Sequence, residues 1–399
     1  FIIAKYFSNK LNKGFYGRKN TFSLLKEKLA LNNQPILWIH AASYGEYKQG
    51  LSIISEWRKQ FSNYYIVISF FSPSGYEGAI NETAANLIFY LPFDTQKNAQ
   101  KLIEIIRPRL MIIIKYDVWP QLIFTLKQHQ IPIYLVSAII KPNHFYLKPL
   151  FSYFQYSLQV LNAIFVQNQE TKNLLEKIGL CQNIYTLGDT RFDTMKITAN
   201  TAWKDSKIEH FIHHSKVFIA GSIYPNDVLM LKPFIEKYTS YKFILVPHHL
   251  DEQNLFYIKQ QLPQAVLYTE LDEATSNNYH ILILNTMGML DKVYRYADLV
   301  YIGGGLDKTG IHNIVEPIAY QKITMIGSNY SEYKEAVDLV HLNAVQVVKN
   351  SNDIIKIIDF LQLNEQHYHE IKLISKKYFD QNCQVANKVV EIIKEKLSL

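Results

Sequence analysis

The sequence predicts an α/β protein with two doubly wound parallel sheets, one in each half of the chain, and two observations predict it. Short apolar, β-branched runs recur with helix-length stretches between them, the pattern of parallel strands buried on both faces by crossover helices. The 399 residues suit two domains of about 150–200 residues each. A content of 48% hydrophobic and 19% charged residues is that of a packed chain and excludes disordered and collagen-like classes.

The first set of strands is predicted at 36–42, 65–71, 87–91, 111–115, 133–137, 163–167 and 184–187. A second set is predicted at 217–221, 243–247, 266–268, 281–284, 299–302, 324–326 and 345–348. The sets resemble each other in style, not in sequence. Residues 194–215 are polar and lack a clean period, so the domain junction falls there. The resulting division is a basic segment at 1–30, an N-terminal domain at 31–205 and a C-terminal domain at 206–399. Helices are expected at 352–362 and 366–397, the second carrying Ile371, Ile374, Tyr378, Val385, Val389 and Ile393 on one face and closing the C-terminal domain.

Composition excludes several classes of function. Cys181 and Cys383 are too few and too far apart for a disulfide framework or a cysteine-rich zinc site, which fits a reducing, cytosolic setting. No run of about 20 apolar residues occurs, so no spanning helix is expected. The chain begins at Phe1, which leaves open an apolar segment ahead of Phe1-Ile2-Ile3-Ala4. Residues 1–30 hold Lys5, Lys10, Lys13, Arg18, Lys19, Lys26 and Lys28 against Glu27, a net +6 of the formal +7. Interleaved with Phe7, Leu11, Phe15, Tyr16 and Phe22, this stretch reads as a segment lying on an anionic membrane surface, or as a solvated basic arm. The remainder shows no basic stripe, zinc finger or RNP-type aromatic pattern, so nucleic acid is not an expected partner.

Candidate chemistry sits where strands end. In Trp38-Ile39-His40-Ala41-Ala42-Ser43-Tyr44-Gly45-Glu46 a strand runs into a small-residue turn with Glu46 at a helix start. A carboxylate there could take a proton from a hydroxyl nucleophile, or merely complement the helix dipole, which would lower its pKa unless burial or a second carboxylate opposed it. Asp117, in Lys115-Tyr116-Asp117-Val118-Trp119-Pro120, is the candidate second carboxylate, with Lys115 on the same side by strand alternation. Arg191, in Gly188-Asp189-Thr190-Arg191, offers a fork suited to phosphate or carboxylate.

In the second half, Gly303-Gly304-Gly305 leads through Gly310 and His312 to Asn313-Ile314-Val315-Glu316. Glycines admit close approach of a ligand, and a helix start near Asn313 would favour phosphate, unless the glycines serve a purely structural turn. No Gly-Lys-Ser/Thr follows the glycines, and Lys308 stands at the third fingerprint glycine, so P-loop and dinucleotide readings lose support. Pro247-His248-His249 and Met287-Gly288-Met289 end two further strands. Adjacent histidines on a strand would point to opposite faces and lack a third ligand, so no metal is expected. No Gly-x-Ser-x-Gly elbow is present.

Together, Gly17-Arg18-Lys19, His40-Ala41-Ala42-Ser43-x-Gly45-Glu46, Leu91-Pro92-Phe93-Asp94, Trp119-Pro120, Gly188-Asp189-x-Arg191-Phe192-Asp193, Ala220-Gly221-Ser222, Val246-Pro247-x-His249, Asn285-Thr286-Met287-Gly288 and Gly310-x-His312-Asn313-x-x-Glu316-Pro317 resemble the 3-deoxy-D-manno-octulosonic acid (Kdo) transferase family of lipopolysaccharide biosynthesis. The resemblance covers nearly the whole chain. It implies a GT-B fold, with two Rossmann-like domains facing across a cleft. It also implies metal-independent, inverting transfer of Kdo from CMP-Kdo to the 6′-hydroxyl of a tetra-acylated lipid A precursor, with no cofactor, at the cytoplasmic face of the inner membrane.

By that resemblance Glu46 is the general base, and Asp117 and Arg191 stabilise the transition state. CMP contacts Pro247, His248, Met287, Gly288, Met289, Asn313, Ile314, Val315 and Glu316. The chain departs from the family at Asp117, usually glutamate, at Arg191, usually lysine, at His248, usually arginine, at Met289, usually a carboxylate, and at Tyr44, usually smaller. Another GT-B nucleotide-sugar enzyme, such as a lipid-disaccharide synthase or an epimerase, would share the segment ending in Glu316 but not the Ser43-x-Gly45-Glu46 turn. A non-catalytic, membrane-associated nucleotide-binding module would bind CMP without turnover.

Overall fold

A computed structural model describes residues 9–398, with side chains from residue 12 onward. Lys5 and Phe7 of the basic segment, and the side chains of Lys10 and Leu11, lie outside the described residues. The fourteen expected strands are present to within a few residues. In the first unit, β1 (Ile36–Ala41), β2 (Tyr65–Phe70), β3 (Leu87–Tyr90), β4 (Pro108–Ile114), β5 (Ile133–Ala138), β6 (Ala163–Val166) and β7 (Ile184–Thr186) form one parallel sheet in the order β3-β2-β1-β4-β5-β6-β7. β4 starts earlier than expected because Arg107, left-handed at φ 48°, ends the preceding helix with its N–H on the Ile103 carbonyl, and Pro108 then opens the strand.

The order reverses between β1 and β4, so the crossovers cover both faces. Alternation divides the strand residues accordingly. Trp38, Met111 and Ile113 face one core with Leu25, Phe89 and Leu126, while Leu37, Ile39, Ile112 and Ile114 face another with Ile53 and Trp57.

The second unit repeats the plan. Here β8 (Lys216–Ile223), β9 (Tyr241–Pro247), β10 (Val266–Leu267), β11 (Ile281–Ile283), β12 (Leu299–Ile302), β13 (Ile323–Ile326) and β14 (Val345–Val347) run parallel in the order β10-β11-β9-β8-β12-β13-β14. The reversal lies between β8 and β12. The fold class is thus two Rossmann-like units in series.

The boundaries differ from the expected ones. The chain divides after Thr194, inside the helix Thr190–Asn200, and a second helix, Ser206–Ile212, occupies part of the supposedly irregular stretch. The helix expected over 366–397 breaks at Gln384, left-handed at φ 71°, into Glu365–Gln381 and Val385–Leu397. The last helix does not close the C-terminal domain. Residues 384–398 return to the first unit, where Val385, Val389, Val390 and Ile393 join Ile53, Ile54 and Trp57. Asp193 caps that helix by accepting from the N–H groups of Gln384 at 2.5 Å and Ala386 at 2.8 Å. The cause is burial: the apolar face of this helix is covered by the core beneath the helix Tyr44–Gln60.

The basic segment is also partly structural. Helices Asn9–Lys19 and Thr21–Leu29 belong to the first unit, and Leu25 and Leu29 enter its core. Arg18 is buried, donating to the carbonyls of Leu91 at 2.9 Å, Gly14 at 2.6 Å and Phe71, with its guanidinium over the Phe71 ring. This charge therefore locks the N-terminal helix to the ends of two strands and is not offered to a membrane. Gly17 permits the approach, since a Cβ there would meet the Tyr90 ring at 2.4 Å. Among the described residues no helix is long and apolar enough to cross a membrane.

Ile393→Ala should destabilise the first unit by about 2–5 kcal/mol, the range for truncating a fully buried isoleucine. Trp38, Trp57 and Trp119 report that unit and Trp203 the other, so urea unfolding followed by fluorescence distinguishes them. An unchanged first-unit transition would return the helix to the second unit.

Candidate functional site

Ligands of doubly wound sheets bind outside the carboxyl ends of the strands, where the strand order reverses. In the first unit that point is the end of β1 and β4, which are paired through His40 and Ile113. β1 delivers Ser43, whose side chain caps the helix Tyr44–Gln60 by accepting from the Glu46 N–H. Glu46 is turned back toward the strand and accepts from the Ala42 N–H at 2.6 Å, leaving it only 7% exposed. Burial pushes its pKa up, against the Ala42 hydrogen bond and the charge of Lys115, and Asp117 pushes the same way. Desolvation and a neighbouring carboxylate thus overcome the effects that would hold Glu46 low.

β4 delivers Lys115, Tyr116 and Asp117. Strand alternation does not place them, because Lys115 is left-handed at φ 74° and the strand has ended at Ile114. Both Lys115 and Asp117 nevertheless act on Glu46. Asp117 is fixed from below: its Oδ2 lies 3.0 Å from His40 Nε2 and 3.0 Å from Trp119 Nε1. His40 is fully buried, with Nδ1 at 2.9 Å from Ser69 Oγ, which itself accepts from the Trp38 indole N–H at 2.9 Å. A carboxylate can only accept, so His40 Nε2 donates to Asp117, while Nδ1 and the Ser69 hydroxyl share the other hydrogen bond. His40, Ser69 and Trp119 had no assigned role in the sequence reading. The signal available for His40 was a polar ring in the middle of an otherwise apolar strand.

Arg191 lies in the first turn of the helix Thr190–Asn200, with Nε donating to Asp189 Oδ2 at 2.7 Å. That helix is tied to the Glu46 helix through Thr194, which donates to the Lys48 carbonyl at 2.9 Å, and through Ser52, which donates to the Thr190 carbonyl. Arg191 therefore belongs to the same edge of the first unit, paired with its own aspartate.

In the second unit the reversal point joins the ends of β8 and β12. Tyr224, after β8, stacks on His248 at 5.0 Å and on His312 at 5.6 Å between ring centroids, and the two imidazoles stack at 4.3 Å. His249 also meets Tyr224, so the adjacent histidines converge instead of diverging, because β9 has ended at Pro247. Burial lowers the His312 pKa to about 4, with His248 and His249 adding to it; burial and His249 lower that of His248. Among the described residues no group of three or more His, Cys, Asp or Glu is arranged to hold a metal ion.

The glycine run has mainly a structural use. A Cβ on Gly303 would meet the Ser222 carbonyl at 2.4 Å, and Gly305 packs backbone to backbone on Gly327. Asp227, fully buried and absent from the sequence reading, accepts from the N–H groups of Tyr224 at 2.8 Å and Gly304 at 3.0 Å and from the Tyr301 hydroxyl at 2.6 Å. The helix expected to receive phosphate is the five-residue Val315–Ala319, and Asn313 already offers its side-chain oxygen to the Val315 N–H and its amide to Glu316. Ile314 and Val315 are fully buried, backbone included, and the Val315 N–H is taken by Asn313, so neither presents surface to a ligand. Met287 and Gly288 are exposed beyond β11, and Met289 accepts from Thr286 Oγ1 at 2.9 Å through its sulfur.

Residues 17–194 match the family described as 3-Deoxy-D-manno-octulosonic-acid transferase (kdotransferase). A bifunctional glycosyltransferase/methyltransferase of Fusobacterium nucleatum is 24% identical over 90% of this chain, which spans 57% of that protein's length. A 3-deoxy-D-manno-octulosonic acid transferase of Haemophilus influenzae is 25% identical over 84% of this chain and 80% of its own. Among solved structures, the UDP-GlcNAc 2-epimerase of Neisseria meningitidis shares the fold, with a TM-score of 0.66 at 14% identity over 90% of this chain and 100% of its own. Residues 17–194, with the strand ends that carry Glu46, Asp117 and Arg191, are similar to the 3-deoxy-D-manno-octulosonic acid transferase family, and likeness to its members runs through most of the chain.

Proposed function

We propose that this glycosyltransferase moves Kdo from CMP-Kdo to the 6′-hydroxyl of a tetra-acylated lipid A precursor, with inversion at the anomeric carbon, at the cytoplasmic face of the inner membrane. The observation that carries the reading is the buried Glu46 carboxylate, held at the β1–β4 reversal point with its pKa raised, in the part of the chain that matches the transferase family. A carboxylate with a raised pKa is a stronger base and accepts the hydroxyl proton as the oxygen attacks. The new carbon–oxygen bond forms at the anomeric carbon while the bond to the CMP phosphate breaks, and the phosphate leaves with the electron pair.

Asp117 acts as a fixed negative charge beside the reacting centre, held by His40 and Trp119 so that it does not move during the reaction. Arg191, oriented by Asp189, is the cation assigned to the departing phosphate. In the second unit Pro247, His248, Met287, Gly288, Met289, Asn313 and Glu316 are assigned to CMP, with the buried Ile314 and Val315 between the last two. Desolvated His248 and His312 serve as neutral hydrogen-bonding groups, not as counter-charges.

Glu46→Gln should reduce transfer by about 100-fold or more, the scale for losing a general base, while CMP affinity measured by calorimetry stays within a few-fold of wild type. Transfer at the wild-type rate would remove Glu46 from the mechanism. The pH dependence has a definite sign. Glu46 must be ionised to accept a proton and its pKa is raised, so kcat/KM should fall with decreasing pH at values above the ordinary carboxylate range. An acidic limb at or below that range would contradict a buried base.

A further inference from the structure

We propose that residues 141–156 of the first unit form a bilayer-facing surface that seats the site at the headgroup level of an anionic membrane. The inference rests on the transferase reading for its purpose, but its observations are independent of that reading.

The stretch from 118 to 169 contains Lys127, Lys141 and Lys148 and no aspartate or glutamate. Fifty-two residues without a carboxylate are unusual for a chain that is 19% charged, and the formal charges they contribute are all positive. At the crest, Leu150 is 88% exposed beside the exposed Lys148, and Tyr156 and Tyr153 follow at 57% and 47% on one face of the helix Ser152–Gln159. Phe124 extends the same surface, with ring centroids 5.1 Å from Tyr153 and 5.4 Å from Tyr156.

Beneath the crest the fold is tightly built. Phe145 meets Phe151 at 5.0 Å and Phe154 at 5.4 Å, and Tyr146 is buried. The exposed apolar groups are therefore held outward by a packed aromatic base. An exposed leucine, amphipathic tyrosine rings and lysines without acids are the chemistry of a membrane interface, where the ring bodies meet acyl chains and the cations meet anionic headgroups.

The surface is rigidly joined to the site. The Tyr146 hydroxyl donates to the Tyr116 carbonyl at 2.5 Å and accepts from the Val118 N–H at 3.3 Å, clamping the turn that carries Asp117 from both sides. A hydroxyl acceptor embedded in a lipid headgroup can reach a base only if the protein holds that base at headgroup depth. Here the same few residues connect the exposed crest to the turn of Asp117, whose charge acts on the candidate base Glu46.

Two measurements on the full chain test this. Sedimentation with phosphatidylcholine vesicles containing phosphatidylglycerol should show the triple variant Leu150→Ser, Tyr153→Ser, Tyr156→Ser binding about tenfold or more weakly than wild type. In the same vesicles, the extra fluorescence of the Leu150→Trp variant should be quenched by lipids brominated on their acyl chains. Equal binding of wild type and triple variant, or no quenching of that extra fluorescence in vesicle-bound protein, overturns the proposal. So does concentration-dependent self-association in the absence of lipid that the triple variant loses, which would assign the surface to a second copy of the chain. Neither readout uses the transfer reaction, so an inactive protein that still shows quenching would discard the transferase reading and keep the surface.

Discussion

A parallel strand packed on both faces offers no place for a charge at its centre, so the chain's polar chemistry is driven to the strand ends. In the first unit every residue of β1 is buried, and the exception to its apolar character, His40, is paired on both ring nitrogens. Where the strand order reverses, neighbouring crossovers leave in opposite directions and the two strand ends between them stay uncovered by a helix. Glu46 and Asp117 occupy those ends. Their proximity follows from the pairing of β1 with β4, across some seventy residues of intervening chain.

The electrostatics of that edge depend on a chain of buried polar groups. Trp38, Ser69, His40, Asp117 and Trp119 form one hydrogen-bonded series, running from within the sheet to the half-exposed carboxylate. Each group has a partner of the right polarity, which is what makes such a series compatible with burial. Burial is the main reason that the Glu46 proton is bound more tightly than an ordinary carboxylate would bind it, and the negative charge at the outer end of the series adds to the effect. The second unit uses a related device for a different purpose: Asp227 gathers two backbone N–H groups and a tyrosine hydroxyl, fixing the turn after β8 against the glycine turn after β12.

The glycines illustrate how a single sequence feature admits two uses. Gly303 and Gly305 allow backbone segments of the protein itself to touch, at Ser222 and Gly327, and the resulting tight turn brings His312 onto the ring of Tyr224. The phosphate-binding role expected of the following helix is weakened by its five-residue length and by Asn313 and Glu316 at its start. What the second unit presents instead is a compact group of aromatic and imidazole rings in which burial lowers the pKa of His248 and His312.

The sequence by itself determined the strands and their parallel arrangement, because a two-faced apolar run of three to seven residues is readable without knowing its neighbours. It also marked Glu46, Asp117 and Arg191, since polar residues just past such runs stand out against them. Only the tertiary structure decided that Arg18 is an interior anchor, that the last helix belongs to the first unit, and that His40 links Ser69 to Asp117. Each of these depends on contacts between residues separated by about 30 to 340 positions. Local periodicity carries information about which face of an element is apolar, but not about which distant surface that face, or a buried guanidinium, will meet.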